Sequence, residues 1–287
     1  MILIADSGST KCDWALTDEK GTRLGAFETM GLNPYFHNEQ VIANAIRANA
    51  PLALYAAKIR RVFFYGAGSS TEQMCAIVER GLREVFPNAD ILVDHDLVGS
   101  AYATYDGEPC ISCILGTGSN SCFFDGENIR EEVPSLAFIL GDEASGSYFG
   151  KILLREYFYR KLPDDLKQSF ESAYTLTKDE FISRVYREPN ANVYLASFTR
   201  FIGQHAQHPH VMNWVVKGMR EFIDIHVKCF PEHTHVPVHF VGSIAHYFHH
   251  CLEIAAKEEG IRLGRTIKKP IDGLVDYHVK YKFPQLA

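Results

Sequence analysis

Two short segments carry the residue types that phosphate chemistry needs. In the first, the apolar run Met1-Ile2-Leu3-Ile4-Ala5 ends in Asp6 and turns through Ser7-Gly8-Ser9-Thr10-Lys11. Glycine lets backbone come close to a ligand, and the consecutive amides and hydroxyls of Gly8, Ser9 and Thr10, with the Lys11 ammonium, can face anionic oxygens. Asp6 would then hold Mg²⁺ through water, because hard cations take carboxylate and water oxygens. The same residues also suit an ordinary hairpin with a Gly/Ser turn. In the second segment, Leu115-Gly116-Thr117-Gly118-Ser119-Asn120 repeats the arrangement with two glycines and two hydroxyl residues. A third glycine turn, Gly242-Ser243, follows an apolar strand and precedes a helix. It could accommodate a nucleoside against backbone and helix start, or it is merely a strand–helix connection.

A carboxylate able to accept a hydroxyl proton is the other requirement of phosphoryl transfer. Asp96 stands at the tip of Ile91-Leu92-Val93-Asp94-His95-Asp96 and would project from a strand end. Asp94 is its rival by position, and either aspartate would also serve as the cap of a helix beginning near Leu97. No Walker A pattern occurs, and no G-x-G-x-x-G follows a strand, so any use of ATP needs another architecture.

The elements that position these residues follow from hydrophobic periodicity. β-rich runs at 2–5, 12–17, 24–29, 61–65 and 91–93, with helical spacing at 39–57 and 71–86, predict an α/β layout with a mixed sheet. A turn at Gly107-Glu108-Pro109 opens a second half, in which strands at 110–115 and 120–124 flank the second small-residue turn. Placing Ser7-Gly8-Ser9 on Thr117-Gly118-Ser119, and Cys12 on Cys122, gives an internal duplication. Two similar domains, 1–107 and 108–287, are therefore expected to face each other across a cleft, with the last helix packing back on the first. Helices are expected at 147–161, 178–186, 193–207, 211–229, 245–259 and 271–282, with strands at 236–241 and 261–268.

Composition excludes several functions. The 287 residues carry 29 Lys+Arg against 35 Asp+Glu, net −6, which argues against a general nucleic-acid binder. No apolar stretch is long enough to span a bilayer, and the start reads as a strand rather than as an export signal. Seven cysteines form no disulfide framework, which suggests a reducing cytoplasm. The thirteen histidines have no zinc-finger spacing, and Cys110-Ile-Ser-Cys113 lies within an apolar strand where a redox dithiol would be shielded.

Taken in order, Asp6-Ser-Gly-Ser-Thr-Lys11, Asp96-Leu-Val-Gly99-Ser100, Gly116-Thr-Gly-Ser-Asn120, Gly141-Asp142-Glu143-Ala-Ser145-Gly146 and Val241-Gly-Ser243 resemble the BadF/BadG/BcrA/BcrD ATPase family. More narrowly, they resemble its N-acetylglucosamine kinases. The resemblance implies two ribonuclease-H-like domains of the actin-like ATPase superfamily, with mixed sheets flanked by helices, closing on ATP. It implies Mg²⁺ at Asp6, phosphates at Gly8, Ser9, Thr10 and Lys11 and again at Thr117, Gly118 and Ser119, and the nucleoside at Gly242 and Ser243. Asn33, Asn120 and Asp142 match sugar-contacting positions, and Asp96 matches the base. The expected activity is ATP-dependent phosphorylation of the 6-hydroxyl of an amino sugar. N-acetylglucosamine is the first substrate, with N-acetylmuramate or glucosamine as alternatives. The partners are then ATP and a sugar, with no nucleic acid and no membrane, and a homodimer is allowed. Other family members are ATPases that drive electron transfer into a dehydratase or reductase through an iron–sulfur cluster, but this chain has no exposed cysteine pair suited to that. The chain departs from the family pattern at Ala144, where relatives have glycine, and at 134–138, where many have Gly-Gly-Trp-Gly. The glycine-rich stretch near adenosine is reduced to Pro270-Ile271-Asp272-Gly273-Leu274.

Overall fold

The structure is a computed structural model that describes residues Met1–Leu286. The chain divides into two compact units. The first comprises Met1–Ser112, Phe124–Ile129 and the segment from Lys269 onward; the second comprises Cys113–Phe123 and Arg130–Lys268.

The first unit is built on β1 (Ile2–Ser7), β2 (Lys11–Thr17), β3 (Arg23–Met30), β4 (Arg61–Gly66) and β5 (Asp90–His95), in the order β3-β2-β1-β4-β5. β1 runs antiparallel to β2 and parallel to β4; β2–β3 is antiparallel and β4–β5 parallel. Alternate residues of a strand face opposite sides, which gives the sheet two apolar faces. Leu3, Ala5, Trp14, Val62 and Phe64 pack against Ile42 and Ile46 of helix Glu39–Arg47 and Val78 and Leu82 of helix Glu72–Val85. Each of these Leu, Val, Ile and Phe side chains removed from water contributes about 1.5–3 kcal/mol. On the other face, Ile2, Ile4, Ala15 and Tyr65 meet Ala103 of helix Asp96–Thr104 and Ile271, Leu274 and Val275 of helix Ile271–Tyr277. The single helix expected over 39–57 is three pieces: Glu39–Arg47, Ala50–Ala53 and a 3₁₀ turn Ala56–Lys58. Pro51 cannot continue the first helix, and Asn49 caps the second by accepting the Leu52 N–H at 3.1 Å.

The second sheet comprises β6 (Cys110–Leu115), β7 (Ser119–Phe124), β8 (Ile129–Arg130), β9 (Val238–Val241) and β10 (Leu263–Ile267), in the order β10-β9-β6-β7-β8. Read from β8, this repeats the order of the first sheet. The fold is thus α/β, with two mixed five-stranded sheets flanked by helices. The register of the duplication differs from the sequence expectation. β6 begins at Cys110 where β1 begins at Ile2, and β7 at Ser119 where β2 begins at Lys11, so Gly8 corresponds to Gly116 and Cys12 to Asn120. Matching similar small residues placed the halves two positions out of step.

In the second unit, helix Gly146–Phe158 packs against Ala191–Ser197, and Pro209–Phe222 against His249–Glu259. Helix Asp164–Ala173 has no counterpart among the predicted elements, because it buries only Leu166 and Phe170, too narrow a stripe to register as periodicity. The helix expected over 211–229 ends at Phe222 and continues as a π-helical turn, Ile223–Val227. Among the described residues no helix is long and apolar enough to cross a membrane.

Candidate active site

In the first unit, strand pairing assembles a row that the sequence conceals. Asp6 lies opposite Asp13 and Tyr65, Asp13 opposite Glu28, and Tyr65 opposite Asp94. Directly opposed residues share a face. Four carboxylates and one tyrosine therefore cross the sheet in line, beside the carboxyl ends of the parallel strands, where α/β sheets bind ligands. Like charges directly opposed repel, and two lysines offset this at one end of the row. Lys269 Nζ stands 2.8 Å from Asp13 and 3.6 Å from Glu28; Lys11 Nζ stands 3.5 and 3.1 Å from the same pair. The partly buried Asp6 carboxylate has no ion-pair or hydrogen-bond partner among the described residues. Burial, then the Asp96 and Asp13 charges, push it up to about 7, against the pull of Lys11 and Lys269.

Among the described residues no group of three or more His, Cys, Asp or Glu could hold a metal ion by itself. Asp6 nevertheless suits Mg²⁺. It is an uncompensated oxygen donor among other carboxylates, and Mg²⁺ keeps most of its waters and takes one or two carboxylates besides phosphate oxygens.

Asp96 follows β5 directly. The helix N-cap is His95, whose own N–H is accepted by Asp94 Oδ1 at 2.8 Å, so neither aspartate is the cap. Asp96 is the first helical residue. Its carboxylate lies 3.1 Å from His95 Nε2 and is 22% exposed, open enough to meet a ligand. Burial pushes its carboxyl up, while His95 and backbone N–H groups pull it down.

The turn formed by Gly8, Ser9 and Thr10 is braced from two sides. The Gly31 N–H donates to Thr10 O at 3.0 Å and the Leu32 N–H to Ser7 Oγ at 2.9 Å; just after β4, the Ala67 N–H donates to Ser7 O at 2.8 Å. A Cβ on Gly31 would lie 2.3 Å from Gly8 O. Gly31→Ala is therefore expected to lower stability by about 1–3 kcal/mol in thermal unfolding. Gly203→Ala, with nothing within 4 Å of the added carbon, should not. If both behave alike, the turn is not packed as described. Asn33 follows in the same loop, 7% exposed, its Oδ1 accepting the Tyr35 N–H at 2.9 Å. Gly68 sits against that amide. The segment Gly66-Ala67-Gly68-Ser69 thus belongs to the site and is absent from the sequence-based set; its signal is a run of small residues after an apolar strand.

The second unit gathers Thr117, Gly118 and Ser119, Asp142 and Gly242. The Gly116 N–H closes the turn on Gly118 O at 2.9 Å, and the Gly146 and Ser147 amides bond to Gly116 O and Thr117 O at 2.8 and 3.1 Å. Asp142 Oδ1 accepts the Ser119 N–H at 3.2 Å; burial pushes this carboxyl up. Asp142 and Ala144 both have left-handed backbone, φ 58° and 57°, which costs roughly 1–2 kcal/mol each and is the kind of strain found at functional sites. Gly242 has φ 118°, and a Cβ there would meet Leu115 O at 2.3 Å, so the third turn rests on the base of the second. Ser243 is exposed at the start of a five-residue helix, Ser243–Tyr247. Asn120 Oδ1 accepts the Ser121 N–H at 2.9 Å. Cys110 and Cys113 are fully buried, and burial pushes the Cys110 thiol up to about 12, so this pair is inert.

No family model and no curated protein matches the chain. Among solved structures, a protein of Porphyromonas gingivalis described as a candidate N-acetylglucosamine kinase is 38% identical, over 98% of this chain and 99% of its own, with a TM-score of 0.91. The chain belongs to this family of N-acetylglucosamine kinase-like sugar kinases. Two more distant structures share the fold. A candidate N-acetylglucosamine kinase of Chromobacterium violaceum is 15% identical over 96% of this chain and 98% of its own, with a TM-score of 0.70. A ROK-family glucokinase of Streptomyces griseus, in complex with glucose and AMPPNP, is 16% identical over 96% and 97%, with a TM-score of 0.58. Within the family's fold, the candidate residues of this kinase-like chain fall at strand ends and in the loops beside them, except Asp142, which follows the helical turn Ala137–Leu140.

Proposed function

We propose that the chain is an ATP- and Mg²⁺-dependent kinase that phosphorylates the 6-hydroxyl of an amino sugar, N-acetylglucosamine first. Within its superfamily we assign it to the BadF/BadG/BcrA/BcrD group, acting in the cytoplasm. The observation that carries the reading is Asp96, a half-shielded carboxylate directly after a parallel strand, beside a histidine, its carboxyl pushed up by burial. A carboxylate held there, at the start of the helix after the strand, is placed to accept a hydroxyl proton.

In this reading Gly8, Ser9, Thr10 and Lys11, with Thr117, Gly118 and Ser119, bind the phosphates, and Gly242 and Ser243 the nucleoside. Asn33, Asn120 and Asp142 hold the sugar. Asp96 takes the proton of the 6-hydroxyl as that oxygen bonds to the γ-phosphorus. The bond from phosphorus to the β,γ-bridging oxygen breaks, and ADP leaves with the electron pair. Mg²⁺ at Asp6 supplies charge neutralisation on the phosphates. His95 fixes the orientation of the Asp96 carboxylate.

ADP release from Mg-ATP, measured with N-acetylglucosamine, N-acetylmuramate, glucosamine and glucose in parallel, tests the proposal. Strong stimulation by N-acetylglucosamine is expected. Steady hydrolysis indifferent to every sugar would remove the kinase reading and favour an ATP-driven activator.

A further inference from the structure

Helix Pro209–Phe222 does not end cleanly. It runs on through the π-helical turn Ile223–Val227, with the Lys228 N–H donating to Ile223 O at 3.0 Å. Such insertions are rare and collect at functional sites. This one carries His226, 4% exposed, its ring lying over Phe222 at 4.9 Å and 24°. None of the residues assigned from sequence lies here.

His226 makes two connections. Its Nε2 stands 3.0 Å from Glu143 Oε2, next to Asp142. Its backbone oxygen accepts the Ser121 hydroxyl at 2.6 Å, and Ser121 follows Asn120, whose Oδ1 accepts the Ser121 N–H. The second ring nitrogen, Nδ1, is buried without a partner among the described residues. A carboxylate can only accept, so Nε2 carries a hydrogen and donates to Glu143. One residue thus ties the loop of Asp142 to the strand of Asn120, through its side chain on one side and its main chain on the other.

We infer that His226 is a positioning residue that sets the distance between Asn120 and Asp142 and so governs the fit of the sugar. The inference rests on the proposed role of those two residues. It touches neither reacting group, and its effect belongs to sugar affinity rather than to turnover or to ATP.

The experiment compares wild type with His226→Ala, His226→Gln and Ser121→Ala. It reads KM for sugar, KM for ATP and kcat, with sugar affinity by calorimetric titration in the absence of ATP. His226→Ala should raise the sugar KM and Kd about 10- to 100-fold, the loss expected for a hydrogen bond to a charged group. The ATP KM should stay within about twofold. A glutamine amide can donate to Glu143 from nearly the same place, so His226→Gln should recover most of the loss. Ser121→Ala, which cuts the other connection, should shift the sugar KM in the same direction. Equal changes in both KM values, or a glutamine variant that folds yet performs like alanine, would overturn the inference. If His226→Ala does not fold, the glutamine and Ser121 variants decide. A wild type that phosphorylates sugar while the variants keep its sugar KM defeats this inference alone. One that binds sugar without phosphorylating it defeats the kinase reading alone, and the Kd values then decide the inference. One that does neither defeats both.

Discussion

Asp96→Asn is expected to lower sugar phosphorylation by about 10²–10⁴-fold, the usual worth of a general base, while leaving ATP affinity within about twofold. Asparagine keeps the shape of the side chain and can still meet His95, whose Nε2 lies 3.1 Å from the carboxylate, so the start of helix Asp96–Thr104 should be undisturbed. What is lost is the capacity to take a proton. Burial raises the Asp96 carboxyl, so wild-type kcat should fall toward acid pH as this group protonates, and the variant should lack that limb. Single-turnover phosphate transfer at saturating ATP and sugar, read across pH 5–9, makes the comparison. A variant within a few-fold of wild type would remove Asp96 as the base, and Asp94 would be the next carboxylate to replace.

The second large effect combines a loss with a gain. Asp6→Asn should reduce turnover by roughly 10³-fold or more, since the proposed Mg²⁺ position loses its carboxylate. The same change should stabilise the metal-free protein at pH 8. The Asp6 carboxyl sits at about 7 in the folded chain against 3.8 unfolded. A raised acid favours folding below its unfolded value, and that contribution disappears as pH rises through 7. At pH 8 the folded protein holds an ionised, uncompensated carboxylate, at a cost of roughly 2–4 kcal/mol that asparagine avoids. Calorimetry in EDTA should therefore show a higher melting temperature for the variant at pH 8, with the gap closing toward pH 4. Added Mg²⁺ should raise the melting temperature of wild type alone. A variant less stable than wild type at pH 8 would mean that Asp6 is compensated and the carboxylate row is misread.

The local elements of this fold are written in local sequence. The strand Cys110–Leu115 and the helix Lys178–Tyr186 have the bounds that periodicity predicts, and the turns after Asp6 and Leu115 stand where glycine and hydroxyl residues cluster. What depends on pairing between strands is not legible in this way. The alignment of Glu28, Asp13, Asp6, Tyr65 and Asp94 exists only once four ladders take their registers, and no spacing along the chain encodes it. The register of the duplication shows the same limit, because residue likeness chose an offset that the strand bounds do not share. Lys269 reads as an ordinary charge until it appears 2.8 Å from Asp13. His226 is one of thirteen histidines, and a π-helical turn leaves no mark in a pattern scored for 3.6 residues per turn.

The segment from Lys269 onward belongs to the first unit yet comes after the whole of the second in the chain. Ile271, Leu274 and Val275 cover the face of Ile2 and Ile4, and Lys269 neutralises part of the carboxylate row. A ribosome therefore releases β1 and β2 long before it has made the residues that shield them. Domains usually fold in the order they emerge, at about 5–20 residues per second. Here the half that emerges first must wait for the last, and its apolar face stays open to chaperones for the time that synthesis of the intervening unit takes.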